Sequence, residues 1–295
     1  MTQPTHQRTS VALLIFGVFA VGPASIFIRL ADAPAITVAF YRMVVAAVAI
    51  GIIVLLRGRR DLVGIDRASL VRSIVSGLFL AVHFASWIAS LDYTSVANSV
   101  IVVSTQPIWA ALFGMAYLRE GISPKAFAAI GLALVGVLTI SGGNPEAGGW
   151  HGDALALIGA IAAAAYLVVG RQVRRTVSTM GYVLISYSTA AVVLGIWSLA
   201  IRTPLGGFTS ATWMWMVAAG LGPSVIGHTI YNRALKDFSA HTVATTILGG
   251  EALLATTLAM IVLAEYPSPW AFIGAIPIAI GITWALRLER GRRIP

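Results

Sequence analysis

Cysteine is absent from all 295 residues. That excludes a disulfide framework and any thiolate metal site. Charge is scarce as well: 11% of the residues are Asp, Glu, Lys or Arg, against about 25% in soluble domains. So little charge does not keep an ordinary globular surface solvated. The motifs of several enzyme classes are missing too. There is no P-loop, no His-Glu-x-x-His, no Gly-x-Ser-x-Gly flanked by a triad and no Cys/His metal spacing. No cofactor is therefore expected.

What the chain has instead is apolar length. Its hydrophobic content is 58% and its mean hydropathy +0.87. A helix needs ~17–25 apolar residues to cross a bilayer. Ten such runs are predicted, at 11–30, 36–56, 70–91, 96–118, 126–141, 153–170, 180–201, 213–231, 240–263 and 270–288. The fifth and sixth are short. Residues 11–21 follow Arg8 as a signal-peptide core would, but nine more apolar runs come after them, so they read as the first membrane helix. The expected fold is an all-α integral membrane protein.

The net charge of +9 is a topology signal. With the N-terminus inside, all of the 20 basic residues but Arg29, Arg42 and Arg202 fall in cytoplasmic segments, as the positive-inside rule requires. Both termini are expected in the cytoplasm, the partner of the surface is the lipid bilayer, and no nucleic acid is implied.

The chain also repeats itself at an offset of 145 positions. Leu118-Arg119-Glu120-Gly121-Ile122-Ser123-Pro124-Lys125-Ala126-Phe127 aligns without a gap on Leu263-Ala264-Glu265-Tyr266-Pro267-Ser268-Pro269-Trp270-Ala271-Phe272, with six of the ten positions identical. The same offset pairs His83 with His228, Asp92 with Asp237, Gln106 with Glu251 and Gly136 with Gly281. Two repeats of five helices follow, at 11–141 and 153–288, joined by a Gly-rich hinge at 142–150. An odd number of spans inverts the second copy, giving a pseudo-two-fold axis in the membrane plane and two similar gates on opposite sides. One chain is a complete inverted pair, so a monomer is expected to suffice.

Gln106-Pro107-Ile108-Trp109-Ala110-Ala111-Leu112, Leu118-Arg119-Glu120, Gly131 and Gly136, together with Phe40-Tyr41-Arg42, resemble the EamA domain of the drug/metabolite transporter superfamily, in two tandem copies covering nearly the whole chain. The resemblance implies ten helices in inverted repeats and export of small metabolites or amino acids across the inner membrane. Within the family the chain most resembles the YddG-type amino-acid exporters. One departure stands out: Glu251-Ala252 replaces Gln106-Pro107 in the second repeat, which removes a helix-weakening proline and adds an acid.

Ionisable residues at bilayer depth are functional candidates. Glu251 and Gln106 fall at mid-helix on repeat-related spans and are expected to line a central cavity. Glu251 is a candidate for a substrate ammonium or a coupling proton, with a hydrogen-bonded structural carboxyl as the plain alternative. His83 and Trp87 share a face of the third helix. Asn98, Trp109 and Tyr166 complete an aromatic, polar pocket suited to a small-molecule substrate such as an apolar amino acid, though Trp and Tyr also serve simply as packing or interfacial residues. His228, with Tyr231 and Asn232, falls nearer the cytoplasm as a candidate inner gate. Arg42 is expected to snorkel outward, with pairing to a carboxylate as the functional alternative. Glu120 and Glu265 start matched connections and read as structural; Asp92 and Asp237 read as turn caps. Pro23, after Gly22, and Pro107 are candidate bending points.

Three other readings compete with amino-acid export. One is a carrier of the same superfamily for a different metabolite or drug. Another is a channel. The third is a polytopic enzyme acting on lipid or isoprenoid phosphates. The enzyme would need convergent acidic ligands near one interface, whereas Asp61 and Asp66 lie among arginines and read as a solvated loop.

Overall fold

The computed structural model describes residues 13, 15–118, 124–143, 150–236 and 240–290. These form ten helices: α1 (Ile15–Leu30), α2 (Ala35–Leu56), α3 (Arg67–Ser90), α4 in two pieces (Val96–Val103 and Gln106–Leu118), α5 (Pro124–Gly143), α6 (Trp150–Val173), α7 (Thr179–Ala200), α8, α9 (Ala240–Val262) and α10 (Pro269–Arg290). Helix α8 runs through Ser210–Ala219, Gly220–His228 and Thr229–Ala234. No strand occurs among the described residues. Glu120, Asp237 and most of the hinge expected at 142–150 lie outside them.

Local chemistry sets the helix starts. Asp66 Oδ1 accepts from the Ser69 N–H at 2.9 Å, Ser95 Oγ from Asn98 at 3.2 Å, Ser178 Oγ from Gly181 at 3.0 Å and Thr209 Oγ1 from Thr212 at 3.2 Å. Each removes an orphan donor of a first turn. Pro124 and Pro269 open α5 and α10, where a missing N–H costs nothing. Helices α5 and α6 are 20 and 24 residues long, so the short spans expected there extend further. Polar flanks such as Trp150-His151-Gly152-Asp153 are helical too, with Asp153 in the first turn, where the helix dipole favours an acid.

The packing follows the repeat. Helices α2, α4 and α5 each lie against their own mates α7, α9 and α10; α3 packs on α6 and α7, and α8 on α1 and α2. Small residues allow the close approaches. A Cβ on Gly77 of α3 would stand 2.6 Å from the Ser186 carbonyl oxygen of α7. In the same seam Ser76 Oγ and Tyr182 Oη lie 2.6 Å apart, and Ser186 Oγ donates to the Ser73 carbonyl at 3.2 Å. Large apolar side chains such as Leu199, Leu253 and Ile261 point outward, as a lipid-facing surface requires.

The two halves are not equally regular. Helix α1 turns at Gly22-Pro23, one of the expected bending points. Helix α4 breaks at Ser104-Thr105, just before Gln106-Pro107. Ser104 Oγ donates to the Val100 carbonyl at 2.8 Å and Thr105 Oγ1 to that of Val102 at 2.9 Å, so at the break each hydroxyl competes with its own backbone N–H for the same carbonyl, a pattern that bends helices. Its mate α9, with Glu251-Ala252 at the matching place, is continuous. Helix α8 widens to π geometry over Gly220–His228 around Pro223, which cannot donate to the ladder. The corresponding part of α3 is regular.

Candidate functional site

Burial singles out Arg42. It lies one to two turns into α2 and is completely inaccessible. This corrects the expectation that it snorkels outward: its head points inward, where Nε donates to Ser224 Oγ at 2.8 Å. Gly220 permits this. A Cβ there would lie 2.7 Å from the Val45 side chain, so the bare Gly lets α8 press on α2 and sets Ser224, one turn on, within reach. The guanidinium carbon stands 4.2 Å from the Phe84 ring centroid and 5.7 Å from that of Trp87, a cation–π arrangement.

Trp87 also lines a small cavity of about 40 Å³. Three repeat-related pairs line it: Val21 with Tyr166, His83 with His228, and Gln106 with Glu251. Each pair is 145 positions apart, so the cavity straddles the pseudo-two-fold axis. Trp87, Val103, Ala163, Leu167 and Tyr231 complete the wall. About one water probe's volume suffices to hold a water, so this space takes a few waters and is too small for an amino acid.

His83 and Tyr166 are held from behind. His83 Nδ1 is 2.9 Å from the Gly159 carbonyl oxygen; a carbonyl only accepts, so Nδ1 carries a proton. The His83 and Trp87 rings stack at 5.8 Å. Tyr166 Oη accepts from Asn232 Nδ2 at 2.6 Å, and the same amide donates to the His228 carbonyl at 2.7 Å. Trp87 Nε1 and Tyr231 Oη are buried without a hydrogen-bond partner among the described residues, leaving two donors beside the cavity. No direct ion pair joins Arg42 to Glu251.

Of the residues expected at a site, His83, Trp87, Gln106, Tyr166 and Glu251 meet at one cavity. His228, expected nearer the cytoplasm as a gate, shares that cavity and touches the Phe84 ring at 5.4 Å between centroids. Asn98, Trp109 and Pro107 do not line it. Asn98 is buried in the first turn of α4, Trp109 donates to Thr105 Oγ1 at 3.2 Å, and Pro107 is buried just after the break in α4. Phe84, Ser224 and Tyr187 were not singled out from the sequence. Tyr187 carried a usable signal, since it is the 145-offset mate of Arg42.

At the outer end, Arg29 Nη2 pairs with Glu265 Oε1 at 2.8 Å, and Glu265 Oε2 accepts the Val96 N–H at 3.0 Å. Glu265 thus joins α1, the first turn of α4 and the α9–α10 connection. Asp92 lies nearby, beyond α3; partial burial holds its carboxyl above the usual range, with the Arg29 charge opposing that rise only in part.

The model of the EamA-like transporter family matches residues 8–142 and again 150–287. An uncharacterized transporter of Clostridium kluyveri (strain ATCC 8527 / DSM 555 / NBRC 12016 / NCIMB 10680 / K1) is 28% identical over 203 residues, covering 65% of this chain and 64% of that protein. The uncharacterized transporter YyaM of Bacillus subtilis (strain 168) is 22% identical over 235 residues, covering 75% and 76%. The match thus spans just under two thirds of the first relative's length and about three quarters of the second's. A solved crystal structure superposes with a TM-score of 0.70 at 18% identity, over 97% of this chain and 99% of its own, a likeness of fold. The chain belongs to the EamA-like transporter family and is a multi-pass membrane protein.

Proposed function

We propose that this member of the EamA-like transporter family is a secondary transporter that exports amino acids, aromatic and other apolar ones among them, across the bacterial inner membrane by alternating access. The observation that carries this reading is the cavity on the pseudo-two-fold axis, where an acid, an amide and two histidines from both repeats meet aromatic walls. Glu251 suits a substrate ammonium or a coupling proton, Gln106 and the histidines suit the polar groups around an α-carbon, and Trp87, Tyr166 and Tyr231 suit an apolar side chain. Repeat-related residues on one cavity give the two sides of the membrane equivalent access to it once the helices rock. The small volume of the cavity fits an occluded stage of that cycle.

Uptake of labelled amino acids into proteoliposomes tests the proposal. Saturable uptake, inhibited by related amino acids and accelerated by unlabelled substrate on the opposite side, is the expected result. Saturable counterflow of other metabolites with no response to amino acids would keep the carrier and replace the substrate class. Unsaturable conductance would replace the carrier by a channel.

A further inference from the structure

A buried guanidinium needs an anion or a full set of acceptors, and Arg42 has neither. Only Nε is engaged, by Ser224 Oγ at 2.8 Å. Nη1 and Nη2 are buried with no hydrogen-bond partner among the described residues. In place of an anion, the head faces the π surfaces of Phe84 and Trp87. Trp87 is itself part of the cavity wall, and Phe84 touches His228, another wall residue. Arg42 itself does not line the cavity; the rings that face it connect it to cavity-wall residues, and ring side chains turn about χ1 and χ2 without moving the backbone. Glu251 lines the same cavity from the other repeat and is not ion-paired with Arg42.

We infer that Arg42 is the carboxylate clamp of the substrate site, taking a ligand carboxylate on Nη1 and Nη2 when the Phe84 and Trp87 rings swing away, while Glu251 takes the ligand's ammonium. This rests on the amino-acid reading above and deepens it by dividing the zwitterion between the repeats: its anionic end to the first, its cationic end to the second. A planar two-oxygen anion is the partner that a guanidinium fork matches, and it binds that fork more strongly than a ring face does. The Ser224 bond fixes the head through Nε and leaves the Nη edge to the ligand. Specificity follows, because a ligand without a carboxylate leaves the fork unpartnered in the membrane interior. Simple amines and amino-acid amides are then poor substrates, however well their side chains fit.

The test is competition against labelled phenylalanine in proteoliposomes, with phenylalanine itself, the decarboxylated amine phenylethylamine, and phenylpropionate, which lacks the ammonium. In the wild type, phenylethylamine is expected to compete about tenfold or more weakly than phenylalanine, the scale of a charged hydrogen bond. Arg42→Gln should raise the phenylalanine half-saturation by about tenfold or more and leave the amine's competition unchanged, so the two ligands converge. Arg42→Lys keeps the charge without the fork and should show the same convergence to a smaller extent; it serves if Arg42→Gln does not fold. Equal weakening of both ligands, or an unchanged phenylalanine half-saturation, would overturn the clamp. If the wild type transports no amino acid, thermal stabilisation by phenylpropionate that disappears in Arg42→Gln would keep the clamp and remove only the amino-acid reading. No stabilisation in that case would overturn both.

Discussion

Arg42 and Tyr187, 145 positions apart, converge on Ser224: Arg42 Nε donates to its Oγ at 2.8 Å and Tyr187 Oη to its carbonyl oxygen at 3.2 Å. A repeat-related pair thus closes on one residue of α8, inside the stretch where Pro223 and the π geometry disturb the helix ladder. Ser224 Oγ also reaches back to the Ala219 carbonyl at 3.4 Å. The irregular helix is what brings an acceptor to the arginine.

Ser224→Ala should therefore cost more than a surface hydroxyl would. It leaves the last engaged nitrogen of a buried guanidinium unsatisfied, a penalty of about 1–3 kcal/mol. The expected readout is a lower melting temperature in detergent, with Ser224→Thr closer to wild type. An unchanged melting temperature would mean that the ring faces hold Arg42 unaided.

Glu251→Gln retains the shape of the side chain and removes both its charge and its capacity to carry a proton. Uptake in proteoliposomes should fall about tenfold or more, the scale of a charged hydrogen bond, and the remaining uptake should no longer vary with pH. A variant that runs at full speed with its pH dependence intact would remove Glu251 from the mechanism.

The fold was legible in the sequence because its determinants are local or periodic. Apolar run length marks the helices, and the 145-residue offset marks the two repeats. The offset also joined Gln106 to Glu251 and His83 to His228, pairs that do meet at one cavity. Arg42 was the main difficulty. Whether an arginine seven residues into a span turns outward or inward depends on what faces it, and its acceptor, Ser224, is 182 positions away. Asn98 and Trp109 share helical spacings with site residues, but the break in α4 before Gln106 changes which faces meet. Nothing in the local sequence marked Phe84 as more than a packing residue.

Outside the membrane, Asp66 gives a pH dependence of defined sign. Hydrogen bonding from the Ser69 backbone N–H, and then from its hydroxyl at 2.7 Å, lowers the Asp66 pKa. A depressed carboxyl contributes its stability above its unfolded value, about 3.9, and loses it as pH falls through the lower folded value. The melting temperature of the wild type should therefore fall below about pH 4, and that of Asp66→Asn, which keeps a capping oxygen without the titration, should fall less. Equal slopes for the two proteins in that range would show that the cap is not stabilising α3.

The Arg29–Glu265 pair makes a prediction about access. It ties α1 to the α9–α10 connection, while the second oxygen of Glu265 caps α4. Both side chains are roughly a third exposed, so the pair contributes about 0.2–1 kcal/mol, enough to shift an open–closed balance by up to about fivefold and too little to lock it. The absence of native cysteine makes this measurable. Ala163→Cys places a single thiol in the cavity wall. A membrane-impermeant maleimide added outside should label it about two- to fivefold faster when Glu265→Gln is added, and Arg29→Gln should act the same way. Glu265→Gln keeps an oxygen for the Val96 N–H, so faster labelling would report loss of the ion pair and not of the cap. If neither substitution changes the labelling rate, the outer face is closed by the packing of α1 and α9, where a Cβ on Gly22 would collide with Leu254, and the ion pair is only an ornament of that contact.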